Sequence, residues 1–318
     1  MSSTPPLVLQ QTEARRLLQQ VDVHQAMRRM FLDLAAGDAL QPSQQLVEFP
    51  NAAGDFINYL GVLAKEGVYG VKTSPYIKTA DGAIVTAWTL LMSMETGQPL
   101  LLCDAGELTT ARTAATTAVA VECLAPDQAR TLAVIGSGPV ARAHLDYVKG
   151  LRDWQRIAVF SPSLADDEGL RTRLLAQDAR VEISASLEEA VADAEVVMLC
   201  TSSAEPLLDP RQLSRPALVT SISTNAPRAH EVSPDALPGM DVYCDYRATT
   251  PASAGEMLLA TARQGWGPAS IRGDLAELVS GQAPRPDYSR PVFFRSIGLG
   301  LEDVALANAL YHLQRQGQ

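Results

Sequence analysis

Cysteine is scarce in this chain. Cys103, Cys123, Cys200 and Cys244 are the only four in 318 residues, and no two have the C-x-x-C spacing of a redox or zinc pair. That scatter predicts buried free thiols in a reducing compartment, the cytoplasm. The histidines (His24, His144, His230 and His312) are equally dispersed, so no metal is expected. Positive charge is in deficit: 26 Lys and Arg against 36 Asp and Glu leave a net charge of −10 with no basic stripe, which argues against a nucleic-acid partner. No apolar run approaches the ~20 residues of a membrane span. The start, Met1-Ser-Ser-Thr-Pro-Pro6, has neither the basic nor the apolar region of a signal peptide. What remains is the composition of a globular enzyme, long enough for about two domains.

The centre of the chain carries a nucleotide-binding pattern. Thr131-Leu-Ala-Val-Ile-Gly-Ser-Gly-Pro-Val-Ala-Arg142 reads as a buried strand, a glycine turn and a helix beginning near Pro139. Gly136 permits the tight turn, Gly138 lets the backbone approach a pyrophosphate, and the small Ala141 lets helix and strand pack closely. The helix N-terminus offers free N–H groups and partial positive charge to phosphates. Gly136, Ser137, Gly138, Pro139 and Val140 are therefore expected cofactor contacts. The alternative is an ordinary tight turn.

The flanking pattern extends this reading. Arg156–Ser161, Val181–Ser184, Val196–Cys200, Leu218–Ile222 and Asp241–Cys244 are short apolar runs, alternating with helical stretches such as Gly169–Gln177 and Ser186–Ala194. Such alternation predicts a Rossmann-type, doubly wound parallel sheet, with ligands beyond the carboxyl ends of its strands at Ser161, Thr201 and Ser223–Pro227. The first 130 residues read differently. A helical stretch Glu13–Ala36 precedes strand-like segments at Gln45–Phe49, Phe56–Leu60, Tyr69–Tyr76, Ile84–Met94 and Pro99–Cys103, and a helix follows over Thr109–Leu124. The expectation is an α+β domain over residues 1–128, joined by a C-terminal helix at 299–318, and a dinucleotide domain over 129–298.

Five segments in order carry a resemblance. Gly70-Val-Lys72, Glu95-Thr-Gly-Gln-Pro99 and Leu108-Thr-Thr-Ala-Arg-Thr-Ala-Ala115 precede the glycine loop; Asn225-Ala-Pro227 and Phe294-Arg-Ser-Ile-Gly-Leu-Gly-Leu-Glu-Asp303 follow it. From about residue 20 onward the chain resembles the ornithine cyclodeaminase/μ-crystallin family. That resemblance implies hydride exchange between a nicotinamide and the α-carbon of an amino or imino acid. It also implies that the α+β domain binds substrate and forms a homodimer. Arg112 matches the family arginine that grips the substrate carboxylate, for which its planar fork is suited. Lys72 matches the lysine facing substrate, where an ammonium holds the carboxylate or, with a lowered pKa, exchanges a proton with the reacting nitrogen. Ser296 and Gly298 are implied near the nicotinamide, and Thr113 is grouped with the cofactor contacts. Glu302 and Asp303 fall in the first turn of the last helix, where the dipole already favours acids, and are assigned no chemistry.

Two positions depart from the cyclodeaminase pattern. Asn225 stands where those enzymes carry an aspartate; an amide orients by hydrogen bonds but does not accept a proton, which weakens cyclisation chemistry. Its other reading is a turn residue before Pro227. Gln44 stands where many members carry a second carboxylate-binding arginine. Cofactor choice rests on Phe160-Ser161-Pro-Ser163: NAD sites put an acid there, whereas Ser161 and Ser163 leave room for a 2′-phosphate, with Arg171 or Arg173 nearby. NADP(H) is expected over NAD(H). The combined expectation is an NADP(H)-dependent oxidoreductase of the C–N bond of an L-amino acid, a basic one such as arginine, lysine or ornithine included, or of the matching imine. The alternatives are a cyclodeaminase with bound NAD and a crystallin-like binding protein.

Overall fold

The computed structural model describes residues 5–223, 228–263 and 265–316. Contacts divide the chain into two units, one running up to Arg112 and resuming at Gly298, the other Thr113–Ile297.

The first unit is built on an eight-stranded sheet. Its principal order is Leu7–Leu9, Pro99–Asp104, Trp88–Ser93, Val68–Thr79, Gly54–Leu63, Ala39–Leu40, with Gln45–Glu48 also on Gly54–Leu63 and Gly82–Val85 on Val68–Thr79. Only the pairing of Leu7–Leu9 with Pro99–Asp104 is parallel. Strand alternation puts Val68, Gly70 and Lys72 on the buried face. The helix Gly300–Gln316 packs there, and two glycines let it come close. A Cβ on Gly61 would stand 2.7 Å from the Leu301 Cα, and one on Gly300 would stand 2.3 Å from the Leu60 carbonyl oxygen.

Two segments differ from the sequence reading. The stretch expected as one helix from Glu13 is two, Gln11–Leu18 and Val23–Ala36, because Asp22 accepts from the Gln25 amide and starts the second afresh. The run from Ile84 to Met94 is likewise two strands, Gly82–Val85 and Trp88–Ser93, each paired to a different part of Val68–Thr79.

The second unit holds eight parallel strands. Their order is Val181–Ile183, Arg156–Phe160, Thr131–Ile135, Val196–Leu199, Leu218–Ser221, Val292–Arg295, Asp241–Cys244, Ile271–Asp274. The order reverses between Thr131–Ile135 and Val196–Leu199, the switch point at which such sheets bind ligands. Ile271–Asp274 and Val292–Arg295 were not anticipated, and the latter separates Leu218–Ser221 from Asp241–Cys244. The division between units falls inside the helix Gly106–Leu124. Its later residues are bonded within the second unit: His144 Nε2 lies 2.9 Å from Thr117 Oγ1, Arg152 donates to the Val121, Glu122 and Ala125 carbonyls, and the Tyr288 hydroxyl donates to the Leu124 carbonyl at 2.7 Å. All four cysteines are free thiols.

Candidate active site

In the first unit, Lys72 and Arg112 are drawn into one buried cluster of opposite charges. Lys72 is 1 % exposed and Arg112 4 %. The Lys72 ammonium stands 3.0 Å from Asp303 Oδ2, donates to Thr109 Oγ1 at 3.3 Å, and lies 4.3 Å above the Tyr59 ring, its neighbour across the strand pair. Arg112 Nη1 donates to Glu302 Oε2 at 2.9 Å, and its Nε is 3.2 Å from Asp303 Oδ1. Gly298 makes room for this guanidinium: at φ +76°, a Cβ there would stand 2.1 Å from Arg112 Nη1.

The two cations are tuned in opposite directions. Burial pushes the Lys72 ammonium down to about 8, helped by Arg112 and opposed by Asp303. Burial works against Arg112 as well, but Asp303 and Glu302 outweigh it and hold its pKa above the ordinary arginine value. One group is thus a permanent cation, and the other can give up its proton near neutrality.

In the second unit, a cavity of about 680 Å³ lies over the glycine loop. Gly136, Ser137, Gly138, Pro139 and Val140 line it, as do Ser161 and Thr201. Gly136 has φ +129°, and a Cβ there would stand 2.4 Å from the Cys200 carbonyl oxygen, so the turn requires glycine. Ala141 is 1 % exposed against this turn. Gly138 precedes the helix Pro139–Val148 with no side-chain cap, and nothing lies within 4 Å of where its Cβ would be. That open cradle at a helix N-terminus fits a pyrophosphate. Ser163 joins the loop to the second strand: its hydroxyl is 2.9 Å from that of Ser137 and 3.0 Å from that of Ser161. Among the described residues no carboxylate lines the cavity. Asp167, near the place of an NAD acid, instead caps the helix Glu168–Leu175. Arg171 and Arg173 are exposed on that helix.

Thr201 is held from below by Glu231, which the sequence did not flag. This fully buried carboxylate accepts from the Thr201 amide at 3.0 Å and its hydroxyl at 2.7 Å, from the Ser221 hydroxyl at 2.7 Å and from the Ser223 amide at 3.0 Å. It therefore ties together the ends of two adjacent strands that form the cavity floor.

Other expected residues lie elsewhere. Ser296 is buried and donates to Asp245 Oδ2 at 3.0 Å, and it is not among the residues lining the glycine-loop cavity. Thr113 is half-buried on the helix after Arg112. Gln44 precedes the strand Gln45–Glu48, and its buried Oε1 has no hydrogen-bond partner among the described residues. Asn225 lies outside the described residues. Glu302 and Asp303 are the site members that sequence reasoning missed. Among the described residues, no group of three or more His, Cys, Asp or Glu side chains is placed to hold a metal ion, and no helix is long and apolar enough to cross a membrane.

Comparison with known proteins agrees with this architecture. The model of the ornithine cyclodeaminase/mu-crystallin family matches residues 5–318. The chain belongs to this family. One relative, an NAD(P)H-dependent anabolic L-arginine dehydrogenase of Pseudomonas aeruginosa, is 70 % identical over 317 residues, which is 100 % of each chain. The solved structure of a probable ornithine cyclodeaminase from Bordetella pertussis Tohama I superposes with a TM-score of 0.88 at 27 % identity, covering 98 % of both chains. A Thermococcus litoralis Delta(1)-pyrroline-2-carboxylate reductase, solved with NADH and L-proline, has the same fold at a TM-score of 0.88 and 22 % identity, again over 98 % of each.

Proposed function

We propose that this member of the family is an NADP(H)-dependent L-arginine dehydrogenase. The overall reaction is L-arginine, NADP+ and water to 5-guanidino-2-oxopentanoate, ammonium, NADPH and a proton, and its reverse. The observation that carries the substrate is the 70 % identity, along the full length of both chains, to an arginine dehydrogenase.

The bound nicotinamide supplies the hydride acceptor or donor for the α-carbon. The protein's own groups do the rest. Gly136, Gly138 and the first turn of Pro139–Val148 hold the pyrophosphate, and Ser137, Ser161 and Ser163 offer hydroxyls to the adenosine ribose and its 2′-phosphate without a carboxylate to repel it. Val140 and Thr201 border the nucleotide, Ser296 and Thr113 support the nicotinamide end, and Gly298 makes room for the Arg112 guanidinium. Arg112, a cation at every working pH, grips the substrate carboxylate and fixes the α-carbon. Lys72, lowered to about 8, takes the proton from the reacting nitrogen on oxidation and returns it on reduction. Gln44 supplies a neutral second contact to the carboxylate, and Asn225 orients the amine or imine.

A homodimer is part of the reading. Val47, Ile77 and Ile84 are exposed and, by strand register, share one face of the first unit's sheet, which a second copy would cover. Free thiols suit the cytoplasm. The test is nicotinamide absorbance with NADP+ or NAD+ against a panel of L-amino acids, with NADPH-driven reduction of 2-oxo acids plus ammonium and of cyclic imines alongside. Sustained NADPH production with arginine supports the assignment. Ammonia release from ornithine without net NADPH would replace it with a cyclodeaminase.

A further inference from the structure

The first unit contains a second cavity, of about 310 Å³, that the proposed chemistry does not use. Two helices face each other across it. Ala305, Asn308, Ala309 and His312 recur at i, i+3, i+4 and i+7 on Gly300–Gln316, so one stripe of that helix forms a wall. Asp33 and Arg29, a turn apart on Val23–Ala36, stand opposite, and Asp22 and Glu66 complete the rim.

The polar groups here are unbalanced in one direction. Three carboxylates, Asp22, Asp33 and Glu66, line the cavity against one guanidinium, Arg29. Each carboxylate has an oxygen already engaged: Asp33 Oδ1 by Lys65 at 2.9 Å, Glu66 Oε1 by Arg29 at 3.2 Å, and Asp22 Oδ1 by the Gln25 amide at 3.0 Å. Asn308 supplies an independent sign. It is 6 % exposed, and its buried carbonyl oxygen has no hydrogen-bond partner among the described residues. A buried amide oxygen without a donor is costly, by about 1–3 kcal/mol, and a donor-bearing ligand removes that cost. Met30, Leu63 and Ala309 add apolar surface able to cover a short methylene chain.

We propose that this cavity binds a small organic cation, an alkyl ammonium or guanidinium, through Asp33, Asn308 and the carboxylates of its rim. The site is separate from the Lys72–Arg112 cluster and needs no carboxylate on its ligand. An anion is disfavoured because the only lining guanidinium is already paired with Glu66. The size suits a ligand of a few carbons with one planar or tetrahedral charged head.

Agmatine is the probe: it carries a guanidinium and an ammonium but has no carboxylate for Arg112 to grip. Isothermal titration into the full chain, with potassium chloride at matched ionic strength in a control run, should give saturable binding. Ala309→Met fills the cavity without touching a charge, and Asp33→Asn removes the buried anion. Each should weaken agmatine at least about tenfold, with circular dichroism reporting that the variants remain folded. Absence of saturable agmatine binding overturns the proposal. So does wild-type affinity in Ala309→Met, a variant that leaves the Lys65–Asp33 pair intact.

Discussion

Replacing Gly298 by alanine separates two roles for one residue. The family resemblance implies a cofactor contact, whereas the structure sets Gly298 against the Arg112 guanidinium. An alanine Cβ would stand 2.1 Å from Arg112 Nη1 and 2.9 Å from its Cζ. Since non-bonded heavy atoms settle at about 3.5 Å or more, the guanidinium must retreat by roughly 1 Å or more. The contacts to Glu302 at 2.9 Å and Asp303 at 3.2 Å cannot both survive that shift. A guanidinium displaced by that much no longer meets the substrate carboxylate in register, so kcat/KM for the amino acid should fall roughly ten- to a hundredfold. Stability should drop too, by about 2.5–5 kcal/mol, from the lost charge-assisted hydrogen bond and the side chain placed in the left-handed region. Steady-state kinetics with arginine and NADPH fluorescence titration read the two roles apart. The expected result is impaired arginine turnover with NADPH affinity within about twofold of wild type, a change under 0.5 kcal/mol. Weakened NADPH binding with kcat and KM for arginine unchanged at saturating NADP+ would falsify the reasoning and place Gly298 with the nucleotide.

Three further outcomes are expected. In the oxidative direction kcat should rise with pH through about 8, as Lys72 loses its proton, and level off above; Lys72→Arg should abolish that inflection, and its survival would remove Lys72 from the proton path. Gly138→Val should weaken NADPH binding by tenfold or more with little change in melting temperature, because nothing lies within 4 Å of its Cβ position, whereas Gly136→Ala should destabilise the fold by about 1–3 kcal/mol. His144 is buried and its pKa is lowered from 6.5 to about 4 by burial, so it folds neutral. The unfolded chain binds its proton first as pH falls, so this contribution to stability is complete above pH 6.5 and is lost as pH falls toward 4, roughly 3 kcal/mol in all. Urea midpoints across that window should show a shallower pH slope in His144→Gln; identical slopes would exclude His144 as the source.

Local signals explain what was legible in the sequence. The glycine loop is contiguous, and its strand, tight turn at Gly136 and helix after Gly138 are all visible in the motif. Lys72 and Arg112 were found through family segments, but their surroundings were not. The Arg112–Glu302 pair joins residues 190 positions apart, and the helix dipole already gave Glu302 and Asp303 a sufficient local explanation. Glu231 carries no local signature either, since its partners come from the ends of two other strands. Val292–Arg295 shows only three apolar residues before a charged one, and the burial of Arg295 beside Glu256 at 3.1 Å has no local sequence signature. The NADP(H) expectation rested on the absence of an acid, and among the described residues no carboxylate lines the cavity.

The discontinuity of the first unit has a consequence for how the protein is made. Residues 113–297 form one continuous segment, so the parallel sheet has all its strands before the chain is finished. The first unit's sheet is synthesised earlier, yet it lacks the helix that covers its buried face until Gly300–Gln316 emerges from the ribosome. Until then Lys72 and Arg112 have neither Asp303 nor Glu302, and burying them unpaired would cost several kcal/mol. The segment made first is therefore completed last. A chain halted between Ile297 and Gly300 would carry every strand of the parallel sheet together with an uncovered first sheet, the form in which chaperones and proteases would meet it.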